Sequence, residues 1–249
     1  MIEIILFVFG AIIGSFLNVV IYRIPEGITM SGRSRCDKCK TPIKFYQNIP
    51  IITWLIQKGK CKTCDNKIGV QTLVVEILTA FSTLWLGYLN NYEIINIIFL
   101  IKLLIVYSLI VLSMIDNTYK AVPDIITIPT LMLSLILITN EKNLPEGLGL
   151  LFSIMGGVYS LKIIMEFLLK KEALGEADII ISGIMASLLL SINNYMLAIY
   201  MASIIILTVY VIKRYILMQK NDIYIPFIPY LSLGTAIIMT FQKEIANFL

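Results

Sequence analysis

Two pairs of cysteines are the residues whose type and spacing point most directly to chemistry. They form Cys36-x-x-Cys39 and Cys61-x-x-Cys64, with 21 residues between the pairs. Two such knuckles are typical of a tetrahedral thiolate zinc site, in which each knuckle supplies two ligands and the closed shell is structural. Disulfides are the alternative, but a reducing cytosol disfavours them, and a redox role would need only one pair in a different fold. We therefore predict a structural Zn²⁺ site.

Two aspartates lie where an apolar run meets a polar turn. Asp116 ends one such run, and Asp178 begins another. Two carboxylates within hydrogen-bond reach in a partly dry site share one proton. The ionised member can take a proton from water as it attacks an amide carbonyl, while the protonated member polarises that carbonyl. Helix capping is the alternative role, which Asp124 and Asp178 both fit.

The sequence contains no histidine. This composition excludes a Ser/His or Cys/His nucleophile pair and every histidine-ligated metal site. Acid–base chemistry in this chain must therefore use carboxylates, lysine, tyrosine or thiolate.

The composition is that of an integral membrane protein. Hydrophobic residues make up 58% of the 249 residues and charged residues 14%, and the mean hydropathy is +0.87. A soluble globular domain carries about 25% charged residues. A carboxylate at the end of a membrane segment is costly in such a protein, which strengthens the case that Asp116 has a function.

Eight apolar segments are candidate membrane helices. The first runs from the N-terminus to about residue 22, without a preceding basic region or a clear cleavage site, and we predict a retained helix. The others lie near residues 70–89, 94–115, 125–139, 147–169, 178–191, 195–212 and 225–241. The segments 125–139 and 178–191 are short for a full crossing, which takes about 20 residues. The prediction is an all-α polytopic membrane protein with about eight transmembrane helices.

A basic hydrophilic insert follows the first segment. Its ten basic residues are Arg23, Arg33, Arg35, Lys38, Lys40, Lys44, Lys58, Lys60, Lys62 and Lys67. By the positive-inside rule the insert is cytoplasmic and the N-terminus lies outside. Eight crossings then place Asp116, Asp124 and the LGEAD stretch at 174–178 on the cytoplasmic side. Seven or nine crossings would separate these regions or weaken the charge asymmetry.

Other charges lie within or beside the apolar segments. Lys162 and Glu166 are four residues apart, so on a helix they share a face, and a structural ion pair is the favoured interpretation. Glu76 could interact with the basic insert, and Lys102 could extend to the interface or find a partner among the helices. None of these spacings indicates a reaction by itself.

Several motifs occur together in an order that resembles the bacterial type IV prepilin peptidases. They are GSFLNVVIYRIP at 14–25, the paired cysteines with NIPIITWLIQKGKC at 48–61, VVEILTA at 74–80, the block from Asp116 to Asp124, and IPFIPYLSLG at 225–234. The family's GxGD motif corresponds to residues 175–178. The resemblance covers nearly the whole chain.

The resemblance implies a fold, an activity and partners. The family cleaves the cytoplasmic leader from prepilins or pseudopilins of type IV pilus and type II secretion systems, and its members N-methylate the new terminus with S-adenosylmethionine. By position its two catalytic aspartates fall on Asp116 and Asp178. It implies a first helix at 1–22, a methyltransferase-associated zinc insert at 23–69 and a membrane peptidase domain at 70–249 in the inner membrane. It implies contact with membrane lipid and no nucleic acid. No motif identifies the residues that bind the methyl donor.

The chain departs from the family pattern at four positions. Ala177 replaces the second glycine of GxGD, and its methyl group would be unfavourable if that position required a positive φ. Ile180 stands where a lysine is usual, and Asp37 stands where proline is common in the first knuckle. Thr118 replaces a second acid before the turn, so Asp116 is favoured as the catalytic residue and Asp124 is a less favoured substitute.

Two other functions fit parts of the sequence. A membrane transporter would also bury acids, use interrupted helices and sense zinc through a cytosolic insert. A pilus or secretion assembly protein could keep the fold without catalysis, and the altered GxGD motif favours this alternative.

Overall fold

The structure is a computed structural model that describes residues 1–36, 38–94, 96–170, 174–218 and 225–248. These residues form nine α-helices and no strand, apart from two isolated β-bridges in the insert. The helices are α1 (Ile2–Arg23), α2 (Ile52–Ile56), α3 (Val70–Leu89), α4 (Ile97–Tyr119), α5 (Asp124–Glu141), α6 (Leu144–Leu169), α7 (Glu176–Leu189), α8 (Ile192–Val211) and α9 (Ile228–Phe248). The prediction of an all-α protein is confirmed for this part of the chain.

Each of the eight predicted apolar segments overlaps one of these helices along most of its length. Within the described residues, six helices are long and apolar enough to cross a membrane: α1, α3, α4, α5, α6, and α8 together with the π-helical turn after it. Helix α7 has 14 residues and is about 21 Å long, shorter than the roughly 30 Å of a bilayer core. The chain is thus a multi-pass membrane protein, and eight crossings remain a prediction.

The chain divides into two compact units, residues 1–99 and 100–249. In the first unit α1 packs along α3, and small residues allow the close approach. A Cβ atom added at Gly10 or Gly14 would overlap the side chain or backbone of α3. Two glycines four residues apart on one helix face are a common solution where membrane helices pack closely. The Asn18 amide also donates to the carbonyl of Thr72, at 3.0 Å.

In the second unit α7 is surrounded by its neighbours. It packs against α5, α6, α8 and α9, and every residue from 181 to 189 is buried. A helix that is apolar around its whole circumference is stable only in such surroundings. The N-terminus of α7, which carries Asp178, is therefore held by several helices.

The charges inside the apolar segments of the second unit have partners. Lys102 contacts Glu141 at 2.6 Å, which joins α4 to α5. Lys162 lies 3.9 Å from Glu166, one turn further along α6. The predicted pair at 162 and 166 is confirmed, and the partner of Lys102 is a carboxylate among the helices.

Candidate functional site

The four cysteines form one cluster. Their sulfur atoms all lie within 4.8 Å of one another, and those of Cys36 and Cys64 are 3.7 Å apart and those of Cys39 and Cys61 3.9 Å apart. Tetrahedral zinc with Zn–S bonds of about 2.3 Å requires sulfur atoms about 3.8 Å apart. A disulfide needs about 2.05 Å, and all four cysteines are free thiols. The arrangement can hold a metal ion of tetrahedral preference.

The two knuckles have the same backbone construction. The Cys36 N–H donates to the carbonyl of Thr41, and the Cys61 N–H donates in the same way to Asn66. At equivalent positions Lys40 and Asp65 adopt left-handed conformations, with φ of 56° and 54°. Each knuckle is thus a small hairpin that presents two sulfur atoms. The four-sulfur cluster needs both knuckles.

The thiols differ in acidity when no metal is bound. Hydrogen bonds from the Thr41 hydroxyl and backbone lower the pKa of Cys39 to about 6. A backbone hydrogen bond from Asn66 lowers the pKa of Cys64, but burial and the other thiols together raise it to about 12. Mutual repulsion prevents four neighbouring thiols from all ionising, and a central cation would remove that repulsion.

Asp116 lies in the last turn of α4, and its carboxylate is buried at 6% exposure. Lys120 follows the helix with a φ of 54°, a left-handed conformation that ends α4 three residues after the aspartate. The Asp116 Oδ2 accepts the backbone N–H of Ile228, the first residue of α9, at 3.4 Å. The C-terminal end of the α4 dipole is negative and repels the Asp116 carboxylate. The positive N-terminal end of the α9 dipole offsets this repulsion.

Asp178 lies in the first turn of α7 and is half-buried. It occupies the third helical position, and Gly175 is the N-cap, so the predicted alternative of Asp178 as the N-cap residue is wrong. Its Oδ2 accepts the backbone N–H of Gly175 at 3.0 Å, which is one half of a capping box. Its carbonyl accepts the hydroxyl of Ser182 at 2.7 Å.

The two aspartates act on one another. The Asp116 and Asp178 carboxyl groups interact electrostatically, and Lys162 of α6 acts on Asp178 with the opposite sign. The chain has Ile180 where the family usually has a lysine, and Lys162 supplies a cation near Asp178 from a neighbouring helix. Two carboxyl groups at the ends of α4 and α7, with a cation on α6, form an arrangement suited to acid–base chemistry.

The remaining acid of the block, Asp124, is in a different setting. It is the first residue of α5 and is exposed. Pro123 is the N-cap, so the predicted alternative of Asp124 as the N-cap residue is also wrong. An acid in the first turn still interacts favourably with the helix dipole. Thr118 is also exposed, and its hydroxyl bonds to the carbonyl of Met114 within α4.

Glu76 connects α3 to the insert, as its position in the sequence suggested. Its carboxylate is buried at 5% exposure and accepts the backbone N–H of Ile51 at 2.7 Å. Ser15 of α1 also hydrogen-bonds to this carboxylate. Ile51 has a φ of 63°, a conformation that is strained for a β-branched residue.

Sequence reasoning did not identify the N–H of Ile228 as part of the site. The signal lies in the IPFIP block, where Pro226 and Pro229 have no N–H and the helix begins at Ile228. A helix start flanked by prolines leaves few amides free to donate. The block does not by itself indicate which side chain the free amide contacts.

Comparisons with known proteins give consistent similarities. Residues 8–89 match the family described as bacterial Peptidase A24 N-terminal domain, and residues 103–212 match the type IV leader peptidase family. The chain is 31% identical over 188 residues to a prepilin leader peptidase/N-methyltransferase of Vibrio cholerae, covering 68% of this chain and 70% of the relative. It is 30% identical to the enzyme of that name from Neisseria gonorrhoeae, covering 69% and 68%.

A third relative is aligned over most of both sequences. The chain is 30% identical over 253 aligned residues to a type 4 prepilin-like proteins leader peptide-processing enzyme of Escherichia coli, covering 90% of this chain and 88% of the relative. No solved structure gives a significant match.

Proposed function

The chain belongs to the type IV leader peptidase family, and we propose that Asp116 and Asp178 form its catalytic pair. The protein is a multi-pass membrane aspartic peptidase of prepilins with N-methyltransferase activity. The observation that carries the proposed pair is that two aspartates, one buried and one half-buried, lie at the ends of helices α4 and α7 and each accept a backbone N–H from a helix N-terminus.

The pair would hydrolyse a peptide bond with water as the nucleophile. The ionised aspartate takes a proton from water, and the water oxygen bonds to the carbonyl carbon while the protonated aspartate donates a hydrogen bond to the carbonyl oxygen. The tetrahedral intermediate then loses the amine, which leaves with a proton from the pair. The carboxyl product retains the water oxygen. The shared proton belongs to the pair as a whole.

The backbone around each aspartate supports this chemistry. The N–H of Ile228 and the N–H of Gly175 each donate to one carboxylate, which favours the ionised form without placing a full positive charge beside it. Both donors are at helix N-termini, where the amides have no partner within the helix. The orientation of each carboxylate is therefore set by backbone.

The substrate is a prepilin or pseudopilin that has a short basic leader and an apolar helix. We propose that the helix lies in the bilayer and the leader in the cytoplasm, so that their junction lies at the depth of Asp116 and Asp178. The cut commonly follows a glycine in this family. The charge distribution of the sequence supports this orientation, with the N-terminus outside and the insert in the cytoplasm.

The cysteine cluster is proposed to bind one structural Zn²⁺. Cys36, Cys39, Cys61 and Cys64 would hold the ion, and the sulfur spacing fits its tetrahedral shell. An insert with few buried apolar side chains gains part of its folding free energy from metal binding. S-adenosylmethionine, when bound, supplies the methyl group for the new amino terminus.

Cleavage of a prepilin by purified protein in detergent tests the catalytic pair. Asp116→Asn and Asp178→Asn should each lower the cleavage rate at least about a thousandfold, because neither half of the pair can act alone. Asp124→Asn is the matched control, since its side chain is exposed, and should remain within about threefold of wild type. Cleavage that persists in both variants would exclude the pair. Failure of the wild type to cleave would favour the transporter or the non-catalytic assembly protein.

A further inference from the structure

An apolar patch lies on the surface of the insert, outside the six helices that can cross a membrane. It is formed by the 3₁₀ helix Phe45–Asn48 and by α2, which lie beside one another. Its six large apolar side chains are all exposed, and they are Phe45, Tyr46, Ile49, Ile52, Leu55 and Ile56. Exposed apolar clusters on a folded surface mark sites of interaction with a protein or a membrane.

Helix α2 turns its aliphatic side outward. Ile52 is three residues from Leu55 and four from Ile56, so these side chains lie on one side of the helix. The ring of Trp54 lies against Gly59 instead, where an added Cβ atom would be 2.7 Å from it. The indole nitrogen of Trp54 is buried, whereas the three aliphatic side chains of the same helix remain on the surface.

A hydrogen bond holds the apolar patch beside a membrane helix. The N–H of Ile51, the residue before α2, donates to the Glu76 carboxylate at 2.7 Å. Glu76 lies six residues after Val70, where α3 begins, and this is about 9 Å along the helix axis. Helix α2 therefore begins level with the second turn of α3, and interfacial helices lie at such depths, about 5–10 Å into the boundary of headgroups and acyl chains.

The charges around the apolar patch indicate the kind of membrane surface that it fits. From residue 38 to residue 64 the chain has no acidic residue and six lysines, which are Lys38, Lys40, Lys44, Lys58, Lys60 and Lys62. The Lys44 ammonium group lies over the ring of Tyr46, 5.9 Å from the ring centre. Lys58 and Lys60 follow α2 and are exposed. Lysines beside exposed aliphatic and aromatic side chains are typical of surfaces that bind an anionic leaflet.

We propose that the apolar patch docks on the membrane and binds anionic phospholipid, with its apolar side chains among the acyl chains and the flanking lysines at the lipid phosphates. A second copy of the chain fits less well, because a symmetric contact would set the lysines of one patch against those of the other. Docking holds the insert on the leaflet that α1 leaves and α3 enters. The proposal does not rest on the catalytic pair or on methyl transfer.

Photo-crosslinking identifies what covers the apolar patch. Full-length protein with Phe45→p-benzoylphenylalanine or Ile56→p-benzoylphenylalanine is reconstituted in vesicles of equal amounts of phosphatidylglycerol and phosphatidylcholine and irradiated. Mass spectrometry should find phospholipid adducts at both positions. Thr63, an exposed residue of the second knuckle outside the patch, is the matched control position. The same label at Thr63 should give at least about tenfold less lipid adduct, because this position does not enter the acyl chains.

The lipid type in the adducts tests the role of the lysines. A lysine beside an anionic leaflet contributes about fivefold to binding, so phosphatidylglycerol should exceed phosphatidylcholine in the adducts by about fivefold or more. In the triple variant Lys44→Glu, Lys58→Glu, Lys60→Glu this preference should be lost, while adducts with phosphatidylcholine remain. The midpoint of thermal unfolding, compared with that of the wild type, shows whether each variant is folded.

Other products would contradict the proposal. Crosslinks from Phe45 and Ile56 to a second copy of the chain would make the apolar patch a dimer interface, and crosslinks to residues 100–249 would make it a contact within the chain. Equal lipid adducts at Thr63, or no adduct at either patch position, would show that the patch is not docked. Equal amounts of the two lipids in the adducts of protein with its native lysines would exclude selection for anionic phospholipid.

Discussion

Ile228 donates its backbone N–H to the Oδ2 atom of Asp116 across 3.4 Å, and it does so from the first residue of α9. A second link lies one turn away, where the hydroxyls of Ser113 and Ser232 are 3.3 Å apart. The position of the carboxylate is therefore coupled to where α9 begins. The IPFIP block sets that start, which gives a physical reason for prolines far along the chain from the aspartate.

Ile228→Pro tests this hydrogen bond. Proline is tolerated at the first position of a helix and removes the N–H, so α9 can keep its start while Asp116 loses a donor. We expect cleavage to fall about tenfold, since a hydrogen bond to a charged group contributes about 1.5–3 kcal/mol. Ile228→Ala is the control: it removes the buried side chain but keeps the N–H. Equal cleavage rates for the two variants would show that the amide is not used.

Ala177→Gly tests the departure from the GxGD pattern. Ala177 lies in the first turn of α7 and does not have a positive φ, so its methyl group causes no backbone strain. Glycine in a helix costs about 1 kcal/mol relative to alanine. We expect a slightly lower midpoint of thermal unfolding and a cleavage rate within about twofold of wild type. An increase of tenfold or more would show that the alanine impairs the site.

Metal removal tests the cysteine cluster. Wild-type protein should contain one zinc per chain, and Cys36→Ser and Cys64→Ser should each lose it, because each variant removes one ligand from a closed shell. Elemental analysis after dialysis measures the content. Cys36 and Cys64 belong to different knuckles, so loss in one variant alone would mean that a single knuckle holds the ion.

The acidity of the free thiols predicts a pH-dependent labelling order in metal-free protein. The pKa of Cys39 is lowered to about 6, so its reactive thiolate prevails above that pH and is lost as the pH falls through it. The pKa of Cys64 is raised to about 12, so this residue stays protonated at neutral pH. Iodoacetamide at pH 7, followed by peptide mass spectrometry, should therefore label Cys39 before Cys64.

Thr41→Val is the matched variant for this labelling. It removes the hydroxyl that donates to Cys39, so the pH at which Cys39 becomes reactive should move up toward the ordinary range of a cysteine. An unchanged labelling profile would mean that the hydroxyl is not the cause of the lowered pKa.

The elements of the fold could be predicted because their signals are local. Each apolar segment overlaps a helix, and the spacing of the cysteines predicted their cluster. The contacts around the acids could not be predicted in this way. The N–H of Ile228 is 112 residues from Asp116, and the partner of Glu76 is the backbone of Ile51 in a strained conformation. Neither secondary-structure propensity nor hydrophobic periodicity predicts hydrogen bonds between a carboxylate and a backbone N–H far away in the sequence.

The turn before Asp178 shows a second kind of limit. The family pattern has glycine where this chain has Ala177, and a glycine would be needed there only if the motif were a turn with a positive φ. The residue lies instead inside the helix, where alanine is favoured, and Gly175 has an extended conformation with a φ of −69°. The sequence motif does not indicate where its helix begins. Because α7 begins at Glu176, position 177 is helical and does not require glycine.

The cross-pairing of the two knuckles has a consequence for the loop between them. The Cys39 and Cys61 sulfur atoms lie 3.9 Å apart although 21 residues separate them. This 21-residue loop includes Ile51, whose N–H donates to the Glu76 carboxylate. A bound metal would offset the entropy lost when the loop closes. Metal binding and loop closure would then be linked equilibria: any ligand that stabilises the closed loop should tighten metal binding by the same factor by which metal tightens the ligand.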